Sequence, residues 1–165
     1  MKEINVNIKM IVWDMDGTIA DLYGVENWLP MLENEIVLPY EIAKPMWDME
    51  RLARAIKALQ ALGIEQRIVS WLAKDSSEEY KTEVRRAKRN WLEENEFPFD
   101  HFHGVQFGAT KADSVRKFLA DDEEALLIDD SFAVRKGWTL GETVNPTEID
   151  VVEFLENLLE NLIER

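Results

Sequence analysis

Three apolar runs in this chain each stop on polar side chains, and helical patterns separate them. The first is the sharpest. Residues 9–18 read Lys-Met-Ile-Val-Trp-Asp-Met-Asp-Gly-Thr. Apolar and β-branched residues in a short run predict a buried strand. It ends on two carboxylates one residue apart, and Gly17 then permits a sharp turn. Residues 67–70, Arg-Ile-Val-Ser, form a second run that ends on a hydroxyl, and residues 125–130, Ala-Leu-Leu-Ile-Asp-Asp, form a third that ends on two acids. Strands are expected over residues 9–14, 66–71, 103–107 and 125–129, with a short one near 138–144.

The segments between the strands carry helical spacing. Leu52, Ile56, Leu59 and Leu62 mark one face, and Tyr80, Val84, Ala87 and Trp91 another. Val115, Phe118 and Leu119 mark a third. Ile149, Val152, Leu155, Leu159 and Leu162 mark a last helix, with Thr147 as its expected cap. This alternation predicts an α/β fold, a Rossmann-like doubly wound parallel sheet in one domain over residues 1–165. Right-handed crossovers bring the strand ends to one edge, so Asp14, Ser70 and Asp130 can meet there.

Residues 21–48 interrupt the alternation. They hold Tyr23, Trp28, Met31, Tyr40, Met46 and Trp47 among Pro30, Pro39 and Pro45. They are read as a short insertion after the first strand, a candidate mini-cap over the strand ends. Burial in a short helical excursion explains the same aromatics equally well.

Asp14 and Asp16 are too close to coexist as bare carboxylates without a positive neighbour. Mg2+, a cation bound through oxygen ligands, answers that need. Such a site suits phosphoryl transfer. Asp14 is placed to attack phosphorus, and Asp16 to protonate the leaving oxygen and later deprotonate water. A strand-end turn with solvated acids is the plainer alternative for Asp-x-Asp taken alone. An EF-hand in this register requires acids at Val12 and Tyr23, and no Gly-x-x-x-x-Gly-Lys-Ser/Thr run exists.

Lys111 sits in Gly-Ala-Thr-Lys-Ala-Asp, where a helical pattern begins. Strand-end acids, strand-end hydroxyl, helix-start lysine and strand-end acid pair thus follow in order. This order resembles the haloacid-dehalogenase-like (HAD) superfamily of phosphohydrolases over nearly the whole chain. Asp14-Met15-Asp16-Gly17-Thr18 is similar to its first motif, Ser70 to its second, Lys111 to its third and Asp129-Asp130 to its fourth. A nearer resemblance is to the 5'(3')-deoxyribonucleotidase branch, through Ala87-Lys88-Arg89-Asn90-Trp91-Leu92, the Lys111 segment and Leu127-Ile128-Asp129-Asp130-Ser131. That branch usually carries Thr-Ser where this chain has Ser70-Trp71, and the insertion here is short.

The resemblance implies Mg2+ held by Asp14, the Asp16 backbone carbonyl and Asp130, with Asp129 beside them as a partner of Lys111. It implies that Ser70 bonds a phosphoryl oxygen and that Lys111 neutralises phosphoryl charge. Tyr23, Trp28 and Trp71 offer flat surfaces for a substrate, and Lys74 a further phosphate contact. A surface lysine is as good a reading of Lys74. The expected activity is a Mg2+-dependent phosphomonoesterase for a small phosphorylated metabolite, with a nucleoside monophosphate the best single guess. The alternatives are a phosphatase or phosphotransferase for a sugar phosphate or other metabolite, and a HAD-shaped binding protein without turnover.

Composition narrows the partners. A net charge of −14 over 165 residues disfavours nucleic acid and anionic membranes. Part of that excess is terminal, where Glu148, Asp150, Glu153, Glu156, Glu160 and Glu164 face Arg165 alone. The chain has no cysteine, which excludes disulfides and thiolate chemistry. No apolar run approaches the roughly 20 residues of a membrane span. Residues 1–5 lack the apolar stretch of a signal peptide, so a cytoplasmic location is expected. His101 and His103 are read as strand-entry residues, and the run 85–89 (Arg-Arg-Ala-Lys-Arg) as a salt-bridged, solvated helix face.

Overall fold

The apolar runs become adjacent strands of one sheet. The structure, a computed structural model, describes residues 7–164. The segment read for a signal peptide, residues 1–5, and the terminal Arg165 lie outside the described residues. Five strands pair in parallel in the order β5-β4-β1-β6-β7: β1 (Ile8–Trp13), β4 (Glu65–Trp71), β5 (His101–Val105), β6 (Glu124–Ile128) and β7 (Thr143–Val144). The first half of the chain builds outward from β1 to β5, and the second returns through β6 to β7. The direction reverses between β1 and β6, and ligands of open α/β sheets bind at such a switch point.

Alternation along β1 divides the core. Ile11 and Trp13 face a layer that includes Leu52, Ile56 and Leu59 of α3 (Met49–Ala61), Trp91 and Leu92 of α4 (Glu78–Glu94), and Val152 and Leu155 of α7 (Val151–Ile163). Met10 and Val12 face the other way, against Ala112 and Val115 of α5 (Lys111–Val115) and Trp138. Both layers exclude water from β1, whose residues 10–13 are fully buried. A strand buried on both faces must be continuously apolar, which is how this one reads.

The insertion after β1 contains a small ribbon of β2 (Ala20–Asp21) and β3 (Lys44–Pro45), a 3-10 turn (Leu22–Gly24), and the short helices α1 (Trp28–Glu33) and α2 (Leu38–Ile42). It is tied to α4. The Ser77 amide and hydroxyl donate to the Glu35 carboxylate at 2.7 and 2.9 Å. The Tyr80 hydroxyl donates to the Ile36 carbonyl at 2.9 Å. Leu22 and Tyr40 pack with Tyr80, Val84 and Ala87. No residue of α1 is fully buried, and its Trp28 and Leu32 pack partly exposed against that cluster.

Several local expectations need correction. The last helix is capped by Asp150, whose side chain accepts from the Glu153 amide at 3.1 Å, and Thr147 instead folds onto Asn145 in the preceding turn. An acid at the N-terminus gains from the helix dipole, and the helix starts at the later of the two signals. The expected strand over 138–144 shrinks to Thr143–Val144, because residues 132–136 form a short helix, α6 (Phe132–Lys136), and Trp138 turns into the core. The third helical pattern spans only Lys111–Val115 before tightening into a 3-10 turn at Arg116–Phe118. Both histidines lie within β5, and His103 meets the Arg67 guanidinium through Nε2 at 3.1 Å. Among the described residues, no helix is long and apolar enough to cross a membrane.

Candidate active site

The sheet register builds the site. Trp13 pairs with Ile128, and the Asp14 amide donates to the Ile128 carbonyl at 2.9 Å. The next residues on the two strands are therefore neighbours, which sets Asp14 beside Asp129 and Asp130. Carboxylate oxygens of Asp14, Asp129 and Asp130 lie within 4.8 Å of one another. Gly17 makes the close approach possible. Its φ of +79° is left-handed, and a Cβ there would fall 2.5 Å from Asp130 Oδ2 and 2.7 Å from the Tyr23 ring.

Lys111 Nζ donates to Asp14 Oδ1 at 2.9 Å and to Asp129 Oδ2 at 2.8 Å. Burial works to lower the Lys111 pKa, but the charges of Asp14 and Asp129 outweigh it and hold the ammonium protonated. The Thr18 hydroxyl, fully buried, donates to Asp14 Oδ2 at 3.0 Å. The Ser131 amide donates to Asp129 Oδ1 at 2.9 Å.

A second ammonium completes the site, and the sequence reading missed it. Lys88 in α4 is fully buried, not on a solvated face as the basic run implied. Its Nζ donates to Asp16 Oδ2 at 2.9 Å, Ser70 Oγ at 2.8 Å and the Trp71 carbonyl at 2.9 Å, and it lies 5.0 Å from the Tyr40 ring centroid. The signal was present: Lys88 is four residues past Val84 on the face that carries Tyr80, Val84 and Trp91. A lysine on a buried face needs charged partners.

Asp16, Asp129 and Asp130 all have raised pKa values. Burial is the main cause at Asp16, partly offset by Lys88 and reinforced by Asp14. Burial pushes Asp129 up to about 6, with repulsion from Asp14 adding and Lys111 opposing. Burial, a hydrogen bond with Asp14, and the charges of Asp14 and Asp129 push Asp130 up to about 8. Four carboxyl groups here face two ammonium groups, so acids outnumber bases and a bound cation would favour their ionised forms. The donors are hard oxygens, and among the described residues the carboxylates of Asp14, Asp129 and Asp130 lie close enough together to fit a divalent cation of the Mg2+ kind.

All ten residues singled out in the sequence line one cavity of about 760 Å³: Asp14, Asp16, Ser70, Lys111, Asp129 and Asp130 at its floor, and Tyr23, Trp28, Trp71 and Lys74 on its walls. Tyr23 packs edge-on against Trp28 at 4.9 Å. Trp71 packs against Phe107 at 5.0 Å, and Lys74 Nζ lies 5.8 Å from the Phe107 ring. Phe107 and Tyr40 line the cavity too, and neither was expected there. Asp16 stands apart from the three-acid cluster, its carboxylate engaged by Lys88.

The chain matches D,D-heptose 1,7-bisphosphate phosphatase from B. bronchiseptica, solved with magnesium and phosphate, with a TM-score of 0.56 and 11% identity over 93% of this chain and 99% of that one. The chain has a HAD-like fold. The same named enzyme from Burkholderia thailandensis aligns with a TM-score of 0.49 and 16% identity, covering 81% of this chain and 74% of that one. No family model and no curated protein sequence matches. At these identities the likeness speaks to the fold, and the chemistry rests on the residues.

Proposed function

We propose that the protein is a Mg2+-dependent phosphomonoesterase working through an aspartyl-phosphate on Asp14. The observation that carries this reading is Lys111 bridging Asp14 and Asp129 beside Asp130, at the sheet's switch point. Mg2+, held by Asp14, the Asp16 backbone carbonyl and Asp130, with Asp129 beside them on Lys111, would supply charge neutralisation between anionic nucleophile and anionic phosphate.

The chain's own groups divide the remaining work. An Asp14 carboxylate oxygen attacks phosphorus as the bond to the leaving oxygen breaks. Ser70 accepts from Lys88, so its own proton is free to bond a phosphoryl oxygen. Lys111 stabilises charge gathering on the transferred group. Asp16, whose raised pKa favours the protonated form, gives its proton to the leaving oxygen. It then takes a proton from water, which attacks phosphorus and releases phosphate from Asp14. Lys88 positions Asp16 and Ser70 together.

As substrate, with the nucleoside as its leaving group, a nucleoside monophosphate suits the cavity. Its volume is within the range of small-molecule sites, and Tyr23, Trp28, Trp71 and Phe107 give it aromatic walls. A sugar phosphate is the second reading, favoured by the name of the B. bronchiseptica fold neighbour. The same neighbour's magnesium supports the choice of cation.

Purified protein should release phosphate from an aryl phosphate in Mg2+ and lose that activity in EDTA. A screen of phosphometabolites then ranks nucleotides against sugar phosphates. No turnover of any phosphoester with Mg2+ would leave a HAD-shaped binding protein as the reading.

A further inference from the structure

Lys111 is the first residue of α5; Asp14 and Asp129 hold its head group, but its own helix start does little to hold its backbone. The helix has no local cap, since Thr110 makes no side-chain bond to the helix amides. The preceding loop, residues 106–110, is thinly packed. Gly108 has φ +83° and open space where a Cβ would be, and Phe107 is 47% exposed. A cavity of about 190 Å³, lined in part by Gly108, Ala109 and Trp138, lies against this loop. An uncapped helix start after an exposed loop has little local bonding of its own to resist a shift.

Trp71 opposes that shift. Its indole Nε1 donates to the Ala109 carbonyl at 2.9 Å, two residues before Lys111. Its ring lies 5.4 Å from Lys111 Nζ, within reach of a cation–π attraction. Its own carbonyl accepts from Lys88 at 2.9 Å. One residue thus touches the loop before one active-site ammonium and the head group of the other.

We propose that Trp71 is a positioning residue for Lys111: its indole N–H clamps the loop at Ala109, two residues before the helix start, and its ring face holds the ammonium over Asp14 and Asp129. This rests on the phosphatase reading for its kinetic consequence, but not for its structural one. It also gives Trp71 a task other than stacking on substrate.

Trp71→Phe keeps a ring and deletes the N–H, and Trp71→Leu removes both. The first should lower kcat for an aryl phosphate and weaken orthovanadate roughly tenfold, the upper scale of one hydrogen bond. The second should cost roughly 100-fold, as misplacement of a catalytic contact can. KM should move less than kcat in both. Amide hydrogen exchange over residues 109–113 should quicken in both variants, while exchange in β1 and β6 stays at the wild-type rate and shows the fold intact. Wild-type exchange over 109–113 in Trp71→Phe would overturn the proposal, as would a raised KM with unchanged kcat. If the wild-type protein hydrolyses nothing, the phosphatase reading fails, and the exchange arm still decides the clamp.

Discussion

Lys88→Met removes one charge from the middle of the site at nearly constant volume. The methionine still packs against Tyr40, but Asp16 Oδ2, Ser70 Oγ and the Trp71 carbonyl lose their shared donor. Breaking a buried pair by removing one partner costs about 3–5 kcal/mol. The Lys88 side chain is fully buried, while that of Asp16 keeps 16% exposure, so water softens the loss. The lower end, about 3 kcal/mol, is therefore expected at alkaline pH, or roughly 6–12 °C in Tm for a domain of this size.

The cost depends on pH with a definite sign. Burial already raises Asp16 above its ordinary value, and Lys88 is the largest opposing influence. Without Lys88 the folded-state pKa rises further above the unfolded value of 3.8. A carboxyl raised in this way contributes stability below the unfolded pKa and loses it as pH rises through the folded pKa. Urea unfolding in EDTA should therefore show a larger deficit at pH 8.5 than at pH 5. Asp16→Asn in the Lys88→Met background should recover most of the deficit, with coupling of about 2 kcal/mol or more in the double-mutant cycle. A Lys88→Met protein within about 0.5 kcal/mol of wild type at both pH values, the range of an ordinary surface change, would refute the reasoning.

Asp14→Asn should abolish phosphate release, because an amide cannot form the acyl-phosphate, and Asp16→Asn should slow it by roughly 100-fold or more; steady-state kinetics on an aryl phosphate checks both. Lys111→Met should cost roughly 100- to 1000-fold in kcat, the scale of one preorganised electrostatic contact, and should weaken orthovanadate in equilibrium titration. In EDTA, Asp129 and Asp130 are raised to about 6 and about 8, so their share of stability is complete below 3.8 and is lost as pH rises through those values. Mg2+ should then raise Tm more at pH 8.5 than at pH 6 in thermal scans, and bind with release of protons.

The strands that carry the candidate site, and the polar residues that end them, are legible in local pattern. Residues 10–13 are apolar at every position, which a strand covered on both faces demands, and such a strand has one polar place left, at its end. The order of Asp14, Ser70, Lys111 and Asp130 between helical segments then left few topologies, because parallel strands with right-handed crossovers gather their ends on one edge. How the charges are matched is not legible locally. Lys88 sits in a basic run with Arg85, Arg86 and Arg89; helical spacing from Tyr80 and Val84 turns it inward, but no local pattern says which carboxylate it meets. That is settled by the rotation of α4 against the sheet, which aims one lysine at Asp16 across 72 residues of chain. The same holds for Trp71, whose indole N–H finds Ala109 only because β4 and β5 are neighbours in parallel register. Local patterns report what a segment can bury; which buried donor meets which acceptor depends on packing angles and register, set by the whole core together.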